Sequence, residues 1–284
     1  MTAPPPALIL RMTRAALIGA LLSAGAAGPG DAAGRWFARC MDPDLAGVTL
    51  ADACARAVLE RGLSDREIAA AYTNLGIAQA ELDRHGDALA AYDRAVAADD
   101  GFAPVYLNRA LSRGARGQVR GALSDYDQAI RLAPRDVAAR SGRGAFLLRR
   151  GLPDLALADF DAALRLAPKD IDARYNRALA LMALNRAEQA VAEFSRVLAL
   201  DPADSGASLE RGRARAATGD RRGALADYAE AARKRPEWPD PYIARGRLLE
   251  DGGDPRAAGL AFRRAFELGA RDDWLRAKVQ ALGG

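Results

Sequence analysis

Six copies of one 34-residue pattern follow one another over residues 69–272 without an insertion or deletion. A fixed period of this length restricts the chain to a stacked array of small, similar units. Four columns carry the period. A small-residue column reads Gly76, Ala110, Gly144, Ala178, Gly212 and Gly246; twelve residues on comes Ala88, Ala122, Ala156, Ala190, Ala224 and Ala258. One helical turn later stands an aromatic in every copy: Tyr92, Tyr126, Phe160, Phe194, Tyr228 and Phe262. Ala95, Ala129, Ala163, Val197, Ala231 and Ala265 follow.

Between the two small-residue columns each copy has a helix breaker: Gly86 with Asp87, Gly117, Gly151 with Pro153, Asn185, Gly219 with Asp220, and Gly253 with Asp254. A turn between two apolar-periodic stretches makes each unit two antiparallel helices of roughly three to four turns. Small residues on facing helices let the backbones approach, and the aromatic fills the space beside them. One such hairpin leaves its outer apolar face wet, so stability comes from stacking one copy on the next.

The spacing and residue types resemble the tetratricopeptide repeat, with Tyr72, Leu75, Gly76, Ala88, Tyr92 and Ala95 as the best single copy. The expected fold is all-α: a right-handed α-solenoid of six repeats (69–102, 103–136, 137–170, 171–204, 205–238 and 239–272), an N-terminal half-repeat cap and a C-terminal capping helix over 273–284. The sequence departs from the family pattern at Arg109, Arg143, Arg177, Arg211 and Arg245, where the family carries leucine, and at Arg140, Arg174 and Ser208, where it carries an aromatic. Four of these arginines have an acid sixteen residues later: Asp125 for Arg109, Asp159 for Arg143, Glu193 for Arg177 and Asp227 for Arg211. Copy one lacks both members, with Leu75 and Ala91, which points to salt bridges inside the hairpins.

Arg11 and Arg14 precede an apolar run over 15–27 that is short for a membrane span, so residues 1–26 read as a secretory signal cut after Ala26, with an uncleaved anchor as the alternative. Residues 27–68 form the linker and cap, with one helix expected over 50–61. Export carries Cys40 and Cys54 into an oxidising compartment and favours a disulfide between them; Cys54 also falls in the small-residue column, 34 residues before Ala88. The other end, 272–282, reads as an amphipathic helix covering the last hairpin with Trp274, Leu275, Val279 and Leu282, and turning Arg276 and Lys278 to water.

Composition excludes several functions. Without Arg11 and Arg14 the chain has 39 basic against 37 acidic residues, and no basic stripe with stacking aromatics suggests nucleic acid. Cys40, Cys54 and the lone His85 do not make a metal-ligand set, and His85, beside Gly86 in a turn, reads as solvated with no second histidine for acid–base chemistry. No nucleophile elbow or phosphate loop is present, so neither catalysis nor a cofactor is expected.

The resemblance places binding on the concave surface lined by the first helices. The candidate peptide-binding groove is Asn74, Leu107, Asn108, Leu111, Tyr175, Asn176, Leu179, Met182 and Arg213. Asn74, Asn108 and Asn176 resemble the asparagine ladder of the repeat domain in O-linked N-acetylglucosamine transferases, where a side-chain amide can bond the backbone of an extended peptide. The leucines, Tyr175 and Met182 would supply apolar pockets. The lysine clamp for acidic tails is missing, since no lysine precedes Lys169. The reading is a non-catalytic, periplasmic or secreted scaffold for a protein partner. The rivals are an assembly factor held at the inner membrane by an uncleaved signal and a regulatory subunit of an envelope enzyme acting on cell wall or polysaccharide.

Overall fold

The computed structural model describes residues 34–282, which form fifteen α-helices; no strand occurs among the described residues. The expected signal segment and its cleavage site lie outside them. The helices fall into two compact units.

The amino-terminal unit, residues 34–150 with 165–167, holds α1 (Arg35–Cys40), α2 (Gly47–Ala57), α3 (Asp65–Glu81), α4 (His85–Ala98), α5 (Ala103–Ala115), α6 (Val119–Leu132) and α7 (Val137–Arg149). The carboxy-terminal unit, residues 151–164 with 168–282, is built from α8 (Pro153–Leu166), α9 (Ile171–Ala183), α10 (Ala187–Leu200), α11 (Ser205–Ala217), α12 (Arg221–Lys234), α13 (Asp240–Asp251), α14 (Pro255–Glu267) and α15 (Asp273–Leu282). Within each unit successive helices pack as hairpins: α3 on α4 and α5 on α6 in the first, α9 on α10, α11 on α12 and α13 on α14 in the second.

The period governs the second helices to the residue and the first helices nearly so. Second helices begin at 85, 119, 153, 187, 221 and 255. First helices begin at 103, 137, 171, 205 and 240, but α3 starts early, at Asp65. Its cause is a capping box: Ser64 accepts from Glu67 N while Glu67 reaches back to Ser64 N at 2.8 Å, which satisfies two orphan amides and starts the helix upstream of the repeat.

The turn inside each hairpin requires a left-handed residue. Gly117, Gly151, Gly219 and Gly253 supply it with φ of 71–86°, and Asp83 and Asn185 occupy the same place at 60° and 57°. The expected breaker of copy one, Gly86 with Asp87, is therefore corrected. The turn is at Asp83, and both residues lie inside α4. His85 opens α4 rather than sitting in a solvated turn, and its side chain is only 24 % exposed.

The small-residue column seats the aromatic of the following helix. A Cβ on Gly76 would meet the Tyr92 ring at 2.3 Å, one on Gly212 the Tyr228 ring at 2.6 Å and one on Gly246 the Phe262 ring at 2.4 Å. All six aromatics are buried, which makes them the main apolar contribution of each hairpin.

The cap holds two helices rather than one. Gly47–Ala57 begins and ends earlier than the expected 50–61, and α1 precedes it. A disulfide joins Cys40 to Cys54. Glu60, from the segment after α2, accepts from the backbone amides of Trp36 (2.8 Å) and Phe37 (3.1 Å), supplying the N-terminal partner that α1 lacks in its own sequence. At the other end Leu275 is buried and Trp274, Val279 and Leu282 pack beside it. Lys278 does not simply face water: it pairs with Glu250 at 2.5 Å and lies over the Trp274 ring.

Candidate functional site

In the amino-terminal unit the candidate residues come from α3 and α5. Asn74 donates its side-chain amide to the Cys40 carbonyl at 2.9 Å, and Asn108 donates to the Pro104 carbonyl at 2.9 Å while being only 5 % exposed. Both amide nitrogens thus donate to the chain's own backbone, Asn108 as a buried amide and Asn74 as a half-buried one. Leu107 is buried, whereas Leu111 is half-open.

In the carboxy-terminal unit Tyr175, Asn176 and Leu179 of α9 are buried, Tyr175 packing edge-on against Phe194 with ring centroids 5.4 Å apart. They belong to the core more than to a surface. Met182 and Arg213 remain half-exposed. Arg213 of α11 pairs with Glu210 one turn earlier. Burial pushes the Glu210 carboxyl above its ordinary range against the pull of Arg213.

The arginine column is a stitching device. Arg109 holds Asp125, Arg177 holds Glu193 at 3.1 Å and Arg211 holds Asp227, as the spacing predicts. Each also reaches backwards by sixteen residues to the preceding hairpin: Arg109 to Asp93 at 2.7 Å, Arg177 to Asp161 at 2.6 Å and Arg211 to the Ser195 hydroxyl at 3.3 Å. Arg143 makes the same backward bridge, to Asp127 at 2.6 Å. One guanidinium therefore ties three helices, α4, α5 and α6 in the case of Arg109. Arg245 has alanine at both distances, Ala229 and Ala261, and is exposed.

One concave feature stands apart from this packing. A cavity of about 220 Å³, partly open to solvent, lies among α3, α4 and α5 and is lined by Ile77, Ala80, Glu81, His85, Tyr92, Asn108, Leu111 and Ser112. Ile77, Ala80, Leu111 and the Tyr92 ring make its apolar walls. Polar groups gather on one side: the Ser112 hydroxyl and the Tyr92 phenol both line it, and the His85 Nδ1 lies 3.4 Å from Ser112 Oγ. Asp83 sits 3.4 Å from the other imidazole nitrogen. Burial pushes the Tyr92 phenol well above its usual range, so the hydroxyl stays protonated as a donor.

Of the groove residues expected from the sequence, Asn108 and Leu111 line this cavity; Ala80, Glu81, His85, Tyr92 and Ser112 were not expected there. The signal was present in two columns. Four residues after the small-residue column stand Ala80, Gly114, Leu148, Met182, Ala216 and Glu250; two residues after it stand Ala78, Ser112, Phe146, Ala180, Ala214 and Leu248. At the first pairing, Ala80 with Ser112, both are small.

Among the described residues no group of three or more His, Cys, Asp or Glu is placed to hold a metal, and no helix is long and apolar enough to cross a membrane.

The tetratricopeptide repeat family profile matches residues 47–101, 107–171, 147–205 and 175–239. Its first match opens on α2, so the cap is read as part of the repeat pattern. No curated protein sequence matches the chain. Solved structures share the fold. A tetratricopeptide repeat protein from Parabacteroides merdae is 21 % identical with a TM-score of 0.61, over 84 % of this chain and 92 % of its own. YrrB, described as a TPR protein with an unusual peptide-binding site, is 22 % identical with a TM-score of 0.55, over 67 % and 97 %. PilW, described as a widely conserved type IV pilus biogenesis factor, is 19 % identical with a TM-score of 0.68, over 75 % and 98 %. With its hairpins, seated aromatics and a family profile spanning well over half its length, the chain belongs to the tetratricopeptide repeat family.

Proposed function

We propose that this protein is a non-catalytic interaction scaffold of the bacterial envelope that holds a protein segment against its first helices. The observation that carries the reading is the convergence of Ile77 and Leu111, from two successive first helices, on one open-mouthed cavity. Apolar walls with a few grouped polar atoms are what a recognition pocket needs. Family membership supports binding to protein or peptide partners, and YrrB supplies a fold relative with a peptide-binding site. The apolar run over 15–27 and the likeness to PilW support the envelope setting. The second reading is an envelope assembly factor anchored at the membrane; PilW, described as a biogenesis factor, supports the assembly part of it.

Photocrosslinking in the native cell envelope tests this. The reactive residue belongs at Leu111 or Met182, which are half-open, with Arg263 on an exposed second-helix face as control. Asn108 and Tyr175 are unsuitable because both are buried. A discrete adduct from Leu111 or Met182 alone names the client and supports the scaffold. Adducts only from Arg263 move the function to the outer face and favour the assembly factor.

A further inference from the structure

We propose that the cavity among α3, α4 and α5 is a receptor site for one aromatic ring carrying a hydrogen-bonding group, a phenol or an indole. The argument is internal to the amino-terminal unit, because the next repeat fills the equivalent space with its own side chain. Phe146 stands 34 residues after Ser112, and its ring lies 3.0 Å from where a Cβ on Gly114 would be and 5.9 Å, centroid to centroid, from Tyr126. Gly114 and Tyr126 are the counterparts of Ala80 and Tyr92. The cavity at Ala80, Tyr92 and Ser112 is therefore the place that a phenylalanine occupies one repeat later. In the carboxy-terminal unit the same two repeat positions likewise combine one large residue with one small, Met182 with Ala214 and Ala216 with Leu248.

Size agrees with this. A dry, apolar cavity of about 150 Å³ accepts benzene, and this one, at about 220 Å³, has room for a substituted ring. Chemistry narrows the guest further. The Ser112 hydroxyl and the His85 imidazole, 3.4 Å apart, keep hydrogen-bonding capacity beyond their mutual contact, so a ring bearing O–H or N–H adds a bond there while its face packs on Tyr92, and a wholly apolar guest adds none. The ring can come from a tyrosine or tryptophan of a bound segment or from a free small molecule. The proposal thus goes beyond the protein-segment reading, and the crosslinks from Met182 stand or fall independently of it.

The test titrates the full chain with p-cresol, indole and 1-hexanol, following the Ile77 methyl resonance, and then with the peptides Ala-Ala-Tyr-Ala-Ala and Ala-Ala-Ala-Ala-Ala. The expected result is saturable Ile77 shifts with p-cresol and indole, at least tenfold weaker binding of 1-hexanol, and loss of the shifts in Ser112→Phe, which installs the ring found at Phe146. Where Ser112→Phe fails to fold, Ala80→Leu closes the same space with the residue found at Leu148. Stronger binding by the tyrosine peptide than by p-cresol assigns the ring to a protein segment; p-cresol binding with the peptide excluded assigns it to a small molecule. Ile77 shifts that never saturate, that are matched by 1-hexanol, or that persist in the filled variant overturn the proposal.

Discussion

Arg109 grips Asp125 with two parallel bonds, Nε to one carboxylate oxygen at 3.0 Å and Nη2 to the other at 2.8 Å, while its remaining nitrogen holds Asp93 of the preceding hairpin at 2.7 Å. Asp125 is almost wholly buried and also accepts from Arg113 at 2.7 Å. Such a pair is weak evidence for stability as a whole, but removing one member strands the other.

Asp125→Ala should therefore cost about 3–5 kcal/mol, because two guanidiniums lose their buried acceptor. Adding Arg109→Leu, which recreates the Leu75 and Ala91 pairing of copy one, should recover part of that loss. Denaturant unfolding of the two single variants and the double variant measures the coupling. Additive losses would mean that the pair acts independently and that the column is not a structural stitch. The same experiment on Arg245, which has alanine at both partner positions and is exposed, should show almost no change on truncation.

The Tyr126 hydroxyl has no hydrogen-bond partner, although the side chain is fully buried. Its counterpart Tyr92 shares a cavity with the Ser112 hydroxyl, whose place next to Tyr126 is taken by Phe146. Copies three, four and six place phenylalanine in this column. Tyr126→Phe removes an unbonded polar atom at little loss of packing, and should raise stability by up to about 1 kcal/mol, or about 2–4 °C in midpoint. Calorimetry decides it; a clear fall in midpoint would show that the hydroxyl has a bound water or another partner.

These cases show where the sequence was legible. The hairpins, the six seated aromatics and the forward half of the arginine ladder all follow from the 34-residue columns. Asp93, Asp127 and Asp161 stood sixteen residues before their arginines in equally regular fashion, but partners were sought within one hairpin, although neighbouring hairpins sit just as close. The turn of copy one was misplaced because Gly86 and Asp87 look more turn-like than Asp83, which the column of left-handed residues identifies. The role of Asn74 was not legible at all. Its acceptor, the Cys40 carbonyl, lies ahead of the part of the cap that keeps the repeat pattern, so nothing in the columns foretells which chain segment covers it.

Glu210 carries a pH prediction. Burial raises its folded-state pKa above the ordinary value despite Arg213, so folding favours its protonated form. A raised carboxyl contributes stability that is present below the unfolded value, about 4.3, and is lost as pH rises through the folded one. Glu210→Gln, neutral throughout, should consequently be more stable than the parent at pH 7, with the difference shrinking as pH falls towards 4. Unfolding curves at pH 7, 5.5 and 4 test the trend. A difference that grows on acidification would mean that the ion pair with Arg213 outweighs burial.

The disulfide between Cys40 and Cys54 sits where the array is least supported, since α1 and α2 belong to no complete hairpin and α3 is their main neighbour. Closing a loop of this length removes unfolded-state entropy worth about 3 kcal/mol. Both cysteines are fully buried among Phe37, Leu50 and Ala71, so the Cys40→Ala, Cys54→Ala variant keeps most of the packing and loses mainly the crosslink. Hydrogen exchange should then speed up in α1 and α2 and in the middle of α3, because Asn74 loses a fixed partner when the Cys40 carbonyl moves. Exchange in α5 and α6 should change much less, since nearest-neighbour interfaces pass on only part of a local loss. Uniform acceleration across the amino-terminal unit would show instead that the cap and the first two repeats unfold as one cooperative block.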